Sequence, residues 1–191
     1  MLTRNRTTAD ERRQFLSPGR GGRNHRILIA PFASIFNHRT TMARSFHQNI
    51  AHIIFSTKNR QPLITADLES DLHSYLGGII RKLNGTALRI NGTADHVHIL
   101  AKTPKTISDA DFMAKVKANS TSWVKSNFEG AKSFAWQEGY GWFSVSRSNV
   151  DRVSAYIDGQ KEHHRTATFK EEFLAFLERH EVEYDERFIW E

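Results

Sequence analysis

The chain has no cysteine among its 191 residues, and no stretch approaches the roughly 18 consecutive apolar residues of a membrane span. Without cysteine, the protein can form neither a disulfide framework nor a thiolate metal site. The N-terminus also lacks the apolar core of a secretion signal. We therefore expect a protein of the reducing cytoplasm, with no membrane partner.

What the chain does contain is enough apolar material for a core. Hydrophobic residues make up 39% of the sequence, and 13 of them are phenylalanine. A chain of this length most often forms one domain of ordinary size, with room for an additional segment.

Positive charge is concentrated at the beginning of the chain. Residues 1–41 carry eight arginines against Asp10 and Glu11, a net charge of +6 that equals the net charge of the whole chain. Residues 42–191 therefore contain 19 basic and 19 acidic residues. The sequence pI of 9.7 reflects the leader, so it does not indicate that the rest of the chain binds nucleic acid.

The composition of residues 1–41 differs from that of the remaining chain. Few large apolar residues occur near the N-terminus, and the stretch from Pro18 to Gly22 is rich in glycine. This composition predicts a disordered basic leader, or an upstream extension of a chain that starts at Met42. A basic arm that binds DNA is the alternative. We expect residues 42–191 to form a single domain.

Hydrophobic periodicity in residues 42–191 predicts a strand, a helix, two strands, a helix, a strand and then two helices. We expect Thr65 and Ser148 to cap helices, and Asn91-Gly92 to form a turn. This order predicts an α+β fold, the ferredoxin-like split βαβ arrangement with a central antiparallel sheet. The predicted strands are 49–57, 86–91, 95–102 and 141–146, and the predicted helices are 65–83, 107–128, 148–164 and 169–180.

Two histidines alternate along the third predicted strand. His96 and His98 flank Val97, and side chains two residues apart on a strand project from the same face. Neutral imidazole is the commonest metal ligand in proteins. The alternative is that both histidines are surface or hydrogen-bonded sheet residues, because a His-X-His pair alone has little specificity.

A tyrosine and a glutamine lie four residues apart on a later predicted helix. Tyr156 and Gln160 should share one side of that helix. Two imidazoles and an amide oxygen can hold a divalent cation, and a tyrosine beside it can attack a phosphodiester. Each residue also has an ordinary interpretation, as a core-edge tyrosine with a bonded hydroxyl and as a solvated glutamine.

Taken in order, these motifs resemble the single-tyrosine members of the histidine-hydrophobic-histidine endonuclease superfamily. Within it, the chain is most similar to the transposases of small insertion sequences and their repeat-associated relatives. The resemblance covers residues 44–191, and the combination of motifs is more specific than any one of them. It is carried by segments 53–60, 91–100, 136–141, 143–145, 156–160 and 163–164.

The resemblance implies a role for each motif. His96 and His98 would be the metal-binding pair, Gln160 the third ligand of Mg²⁺ or Mn²⁺, and Tyr156 the nucleophile. The reaction would cleave single-stranded DNA at hairpin-bearing element ends, leaving a 5′-phosphotyrosine and a free 3′-hydroxyl. The family also implies a homodimer with composite active sites, in which the helix carrying Tyr156 completes the site of the partner.

Candidate DNA contacts are less specific. Lys58 and Arg60 lie in a loop after the first strand, Tyr140 could stack on a base, and His163 and His164 follow Gln160. Alternatively, Lys58 and Arg60 belong to an ordinary exposed loop and Tyr140 to a turn. The two histidines would then be cations near a helix C-terminus. Two other functions stay open, a non-catalytic ferredoxin-like module that binds nucleic acid and a domesticated, repeat-associated nickase.

Overall fold

The computed structural model describes residues 46–185, 187, 189 and 190. The predictions of a basic leader over residues 1–41 and of a start at Met42 lie outside the described residues. Within the described part of the chain, no helix is long and apolar enough to cross a membrane.

Four strands form one antiparallel sheet in the order β2-β3-β1-β4. The order of strands and helices along the chain is the predicted ferredoxin-like one, so the predicted fold class is confirmed. The strands are β1 (Ile50–Ser56), β2 (Thr86–Gly92), β3 (His96–Lys102) and β4 (Gly141–Ser144), and the helices are α1 (Ala66–Lys82), α2 (Asp109–Asn127), α3 (Val150–Asp158), α4 (Gln160–His163) and α5 (Phe169–Arg179).

One face of the sheet packs against α1 and α2. Alternate residues of β1 and β3 point to this face, and α1 covers them with an apolar stripe at a spacing of three to four residues. Full burial of each large apolar side chain contributes about 1.5–3 kcal/mol, so this layer holds the two central strands in place. Its buried members include Ile53, Phe55, Val97, Ile99, Leu68, Leu72, Leu76, Ile80, Phe112 and Val116.

The other face of the sheet carries the polar residues that matter for chemistry. In the antiparallel register, Ser56 pairs with His96 and Ile54 pairs with His98. Helices α3 and α5 cover this face, α3 through Val150 and Ile157 and α5 through its phenylalanines. Imidazoles are therefore buried between the sheet and the C-terminal helices.

The prediction of a turn at Asn91-Gly92 is wrong, because both residues belong to β2. A Cβ atom on Gly92 would lie 2.2 Å from the carbonyl oxygen of His96, so glycine is needed here for close approach of two strands. The side chain of Asn91 donates to the carbonyls of Ile157 and Asp158 at 2.9 and 3.1 Å. Asn91 thereby ties β2 to the end of α3.

The predicted helix over 148–164 is also different in the structure. Ser148 does not cap it, since the Ser148 hydroxyl bonds to that of Ser146 at 2.9 Å and the helix begins at Val150. Gly159 then separates α3 from α4. Glycine has low helix propensity, and Asn91 already occupies the carbonyls at the end of α3. Tyr156 and Gln160 consequently lie on two short helices.

Candidate active site

His96 and His98 project from β3 into the layer beneath the C-terminal helices. Their side chains are 1% and 0% exposed, and their ring centroids are 5.1 Å apart. The Nε2 atom of each ring is buried and makes no well-formed hydrogen bond, with Oε2 of Glu172 at 4.0 Å from that of His96 and 3.4 Å from that of His98. Buried polar atoms are nearly always satisfied, so both atoms are positioned for a ligand.

The remaining ring nitrogens are held by other side chains. The Nδ1 atom of His96 lies 2.7 Å from the carboxylate of Asp95, and Nδ1 of His98 lies 3.0 Å from Nε2 of His52. Because a carboxylate only accepts, Nδ1 of His96 is the donor in this contact. Hydrogen-bond partners of this kind usually fix the orientation of a metal-binding imidazole.

Glu172 of α5 lies at the centre of the cluster, with a side chain that is 3% exposed. Its Oε2 atom lies 3.4 Å from Nε2 of His98 and 3.1 Å from Nε2 of His164. Its Oε1 atom accepts hydrogen bonds from the Tyr156 hydroxyl and from Nε2 of Gln160. One carboxylate therefore contacts residues from β3, α3, α4 and the segment that follows α4.

The sequence prediction missed Glu172, although a signal existed. Glu172 lies beside Phe169 and Phe173, which form the buried stripe of α5. An acidic residue inside an apolar stripe needs a buried partner. A capping box of Thr168 and Glu171 starts the helix, and this fixed beginning sets the position of Glu172 one turn later.

Tyr156 lies beside the histidines of its own chain. Its ring centroid is 6.1 Å from that of His98, and it lines a cavity of about 220 Å³ together with His163, Phe176 and Arg179. The hydroxyl therefore faces the buried cluster while the ring can be reached from outside.

The predicted exchange of the Tyr156 helix between two subunits differs from this arrangement. Val150 and Ile157, on the apolar face of that helix, are buried against Ile50 and Leu100 of their own sheet. The apolar face of α3 is thus already covered within one chain.

Gln160 is fully buried, and its amide nitrogen donates to Glu172 at 3.1 Å. Its Oε1 atom is buried without a hydrogen-bond partner. The amide oxygen is the atom that a hard cation would bind. Gln160 thus presents the predicted ligand atom, unpaired, from the helix next to Tyr156.

Burial sets the protonation of the cluster. It lowers the pKa of His52 to about 3 and that of His98 to about 4, the latter despite the nearby Glu172 carboxylate. Burial alone would raise the pKa of Glu172, but its contact with His98 and its hydrogen bonds from Tyr156 and Gln160 hold that pKa below its usual range. Burial, together with Glu172, raises the pKa of Tyr156. At neutral pH these groups are two neutral imidazoles, a carboxylate and a protonated phenol.

The donor atoms fit a divalent cation. Ligand atoms of His96, His98, His164 and Glu172 all lie within 4.8 Å of one another. They offer a mixed nitrogen and oxygen set of the kind that transition-metal ions accept.

The residues predicted to contact DNA divide into two groups. His164 and His163 are part of the cluster, since His164 packs at 4.4 Å from the His96 ring and donates from Nδ1 to the Ala167 carbonyl, while Nε2 of His163 is 3.7 Å from Glu172. Arg60 and Tyr140 instead line a separate cavity. Lys58 is exposed at the start of a short 3-10 helix, Lys58–Arg60.

Comparison with known proteins places these residues in context. A family model described as "Transposase IS200 like" matches residues 45–160. This segment contains both histidines, Tyr156 and Gln160, but it ends before His164 and Glu172. No curated protein sequence matches the chain.

Comparison with solved structures gives two matches. A candidate transposase from Deinococcus radiodurans R1 is 21% identical, with a TM-score of 0.50, over 61% of this chain and 94% of its own. A REP-associated tyrosine transposase bound to a REP hairpin is 14% identical, with a TM-score of 0.48, over 63% of this chain and 72% of its own. At these identities, the first match bears on the fold alone.

Proposed function

The chain belongs to the IS200-like transposase family, and we propose that it cleaves and rejoins single-stranded DNA through a 5′-phosphotyrosine on Tyr156. The observation that carries this proposal is the position of the Tyr156 hydroxyl. It bonds to Glu172, which also contacts His98 and Gln160. The proposed nucleophile and the proposed metal ligands thus share one buried carboxylate.

The reaction exchanges one phosphoester bond for another. The Tyr156 oxygen forms a bond to phosphorus, the bond from phosphorus to the 3′ oxygen breaks, and the 3′ oxygen takes up one proton and leaves as a hydroxyl, which balances the proton lost by the phenol. The phenol proton is lost, and Glu172 Oε1 is its nearest acceptor. A second 3′-hydroxyl can reverse the step on another strand, because the covalent link conserves the energy of the original bond.

We propose that His96, His98 and Gln160 hold Mg²⁺ or Mn²⁺, with His164 and Glu172 beside them. When bound, the cation would polarise the scissile phosphate and stabilise the charge that develops there. Asp95 and His52 keep the Nε2 lone pairs directed at the cation site. Without a cation, the raised pKa of Tyr156 keeps the phenol protonated.

The substrate and the boundaries of the catalytic unit are further parts of the proposal. Membership of the family supports single-stranded DNA with a hairpin near each element end. Lys58, Arg60 and Tyr140 are proposed to contact that DNA outside the reacting centre. Residues 42–191 are proposed to be the catalytic domain, and the leader over 1–41 supplies the net positive charge.

The homodimer with composite sites also stays a proposal. It is supported by the family resemblance, whereas the position of Tyr156 beside its own His98 favours a site built within one chain. The two arrangements use the same residues and the same chemistry. They differ only in which chain supplies Tyr156, and mixing of inactive variants separates them.

Replacement of the phenol oxygen tests the function. We expect Tyr156→Phe to form no covalent adduct with labelled single strands taken from the DNA flanking the gene, in the presence of Mn²⁺. The ring still packs, so folding and DNA binding should persist. Tyr75→Phe is the matched control, because Tyr75 stacks on Trp123 at 4.4 Å on the opposite side of the sheet. An adduct that survives in Tyr156→Phe on a denaturing gel would exclude this nucleophile.

A further inference from the structure

A cavity of about 260 Å³ adjoins the histidine cluster. The ring of Phe169 is shared between the two, because it lies 4.7 Å from the His96 ring and also lines the cavity. A group bound in this cavity would therefore lie one aromatic ring away from the proposed metal ligands.

The cavity is lined by flat aromatic surfaces. Phe169 and Phe173 are stacked with centroids 5.6 Å apart, and Trp190 lies 6.1 Å from Phe173. Tyr140 and Tyr184 contribute further rings. Pockets for drug-sized ligands begin at about 300 Å³, so this cavity is sized for one planar ring system. Aromatic side chains of this kind stack on unpaired bases regardless of sequence.

Apart from the tyrosines, four polar or charged side chains line the cavity: Ser56 and Gln137, which are buried at 5% and 7% exposure, and Arg60 and the exposed Glu183. The Oε1 atom of Gln137 accepts a hydrogen bond from the Asn59 amide at 3.1 Å. Its Nε2 group makes no hydrogen bond to any described residue. Gln137 therefore holds a fixed amide with donors available to the edge of a base.

The backbone of the segment that carries Gln137 is held in place by Lys117. The ammonium of Lys117 donates to the carbonyls of Gln137, Glu138 and Gly139 at 2.8, 2.9 and 2.7 Å. All three of its donors are thereby occupied. The wall of the cavity is thus set before any ligand binds, which lowers the entropic cost of binding.

Cations lie at the rim of the cavity. The guanidinium of Arg60 lies 5.5 Å from the centroid of Trp190, and the ammonium of Lys170 lies 5.0 Å from it. Asn59 and Arg60 both have positive φ, 56° and 55°, a conformation that costs energy in residues other than glycine. An apolar cavity with cations at its rim is complementary in shape and charge to a flat base attached to a phosphate.

Apolar side chains at the mouth of the cavity are open to solvent. Val182 and Tyr184 are 43% and 36% exposed, and both line the cavity. Among the described residues, the one other exposed large apolar side chain is Phe46. Clustered exposed apolar groups mark a binding surface more often than scattered ones do.

From these observations we propose that the cavity binds one unpaired base of the DNA strand, next to the phosphate presented to Tyr156. The proposal rests on the proposed function, because it takes single-stranded DNA as the substrate. The base would stack on the aromatic wall, with Gln137 facing its edge and Arg60 near its phosphate. The structure thereby assigns part of substrate selection to Phe169, Phe173, Tyr184 and Trp190, which follow the segment that matches the family model.

A binding experiment with the full chain tests this assignment. The probes are a labelled random-sequence single strand and a matched strand of abasic residues, measured by fluorescence anisotropy without metal. Loss of base stacking costs about 1–3 kcal/mol, so we expect Trp190→Ala to weaken binding of the base-containing strand by about 5- to 150-fold. Binding of the abasic strand should not change. Equal losses on both strands would overturn the proposal.

Two additional measurements distinguish a specific loss of base binding from misfolding of the variant. Tyr184→Ala alters an exposed residue at the mouth and should give a smaller loss with the same preference for the base-containing strand, while Phe46→Ala should bind as the wild type does. Strands carrying 5-iodouracil should cross-link to the wild type at residues 182–190. Cross-links confined to other segments would reject the cavity as the base site.

Failure of this proposal can be told apart from failure of the proposed function. Anisotropy needs neither cleavage nor metal, whereas the Tyr156 adduct needs both. If adducts form normally and Trp190→Ala binds both strands like the wild type, the cavity assignment fails and the strand transferase stands. If base-dependent binding is lost in Trp190→Ala but no adduct forms in the wild type, the base site stands and the proposed reaction fails.

Discussion

Glu172 links the proposed nucleophile to the proposed metal ligands at the scale of single residues. One of its oxygens accepts from Tyr156 and Gln160, and the other faces His98 and His164. A buried anion is stable only when its neighbours satisfy it. A cation among the same atoms would compete with Tyr156 for this carboxylate.

We therefore expect Glu172→Gln to weaken Mn²⁺ binding measured by titration calorimetry. Loss of a group that ligates or orients ligands costs about 10- to 100-fold in metal affinity, and His96→Ala and His98→Ala should lose at least as much. Glu178→Gln, at an exposed position on the same helix, is the control and should bind like the wild type. Wild-type affinity in Glu172→Gln would place this carboxylate outside the metal site.

The buried histidines predict how stability depends on pH. Folding lowers the pKa of His52 from 6.5 to about 3 and that of His98 from 6.5 to about 4. The unfolded chain therefore binds more protons below pH 6.5, and the free energy of unfolding should fall as pH decreases from about 6.5 towards 4. Each linked proton contributes at most about 1.4 kcal/mol per pH unit.

Urea unfolding in the presence of a chelator measures this slope. His52→Asn should reduce it by up to one linked proton, whereas His47→Asn, at an exposed position, should leave it unchanged. If stability rises as the pH falls through this range, the two imidazoles are not buried in the neutral form.

At the scale of secondary structure, the contact between β2 and β3 matters most for the site. Gly92 passes close to the carbonyl of His96, and Asn91 holds the end of α3. These two residues connect the strand that carries the histidines with the helix that carries Tyr156. A shift in this contact would move both groups relative to each other.

Gly92→Ala should accordingly be destabilising. The new Cβ would meet backbone atoms, the closest at 2.2 Å, and overpacking of this kind costs about 1–3 kcal/mol. Gly78→Ala in α1 is the control, because nothing lies within 4 Å of its Cβ position. That change should stabilise the protein by about 0.5–1 kcal/mol. Equal unfolding free energies for the two variants would contradict the close approach.

At the scale of the whole molecule, one chain brings together every group in the proposed reaction. The sheet supplies the histidines, and three successive helices supply Tyr156, Gln160 and Glu172. A composite site would need the partner's α3 to replace a helix that already packs on its own sheet.

Mixing two inactive proteins decides between the arrangements. With sites built within one chain, Tyr156→Phe mixed with the double variant His96→Ala and His98→Ala should recover no cleavage. With sites shared between subunits, the heterodimer contains one intact site and cleavage should return. Subunit exchange is verified first, by mass measurement of differently tagged chains, if a dimer is present.

The order of elements and the fold class could be predicted from the sequence, because periods of two and of three to four residues are local properties. The His96 and His98 pair, Tyr156 and Gln160 were also identified there, the first by spacing and all of them by resemblance. Predictions from local sequence were wrong where a residue contacts a part of the chain that is distant in sequence. Asn91-Gly92 is typical of a turn, but Asn91 bonds to a helix 66 residues later.

The sequence by itself determined the strand that carries the histidines and the presence of helices after it, although not the break at Gly159. The tertiary structure alone decided which residues surround them. His52 meets His98 across 46 residues, and Glu172 reaches His98 from the last helix. Local periodicity does not name these partners, because the group that a buried polar side chain contacts depends on what the rest of the chain packs against it.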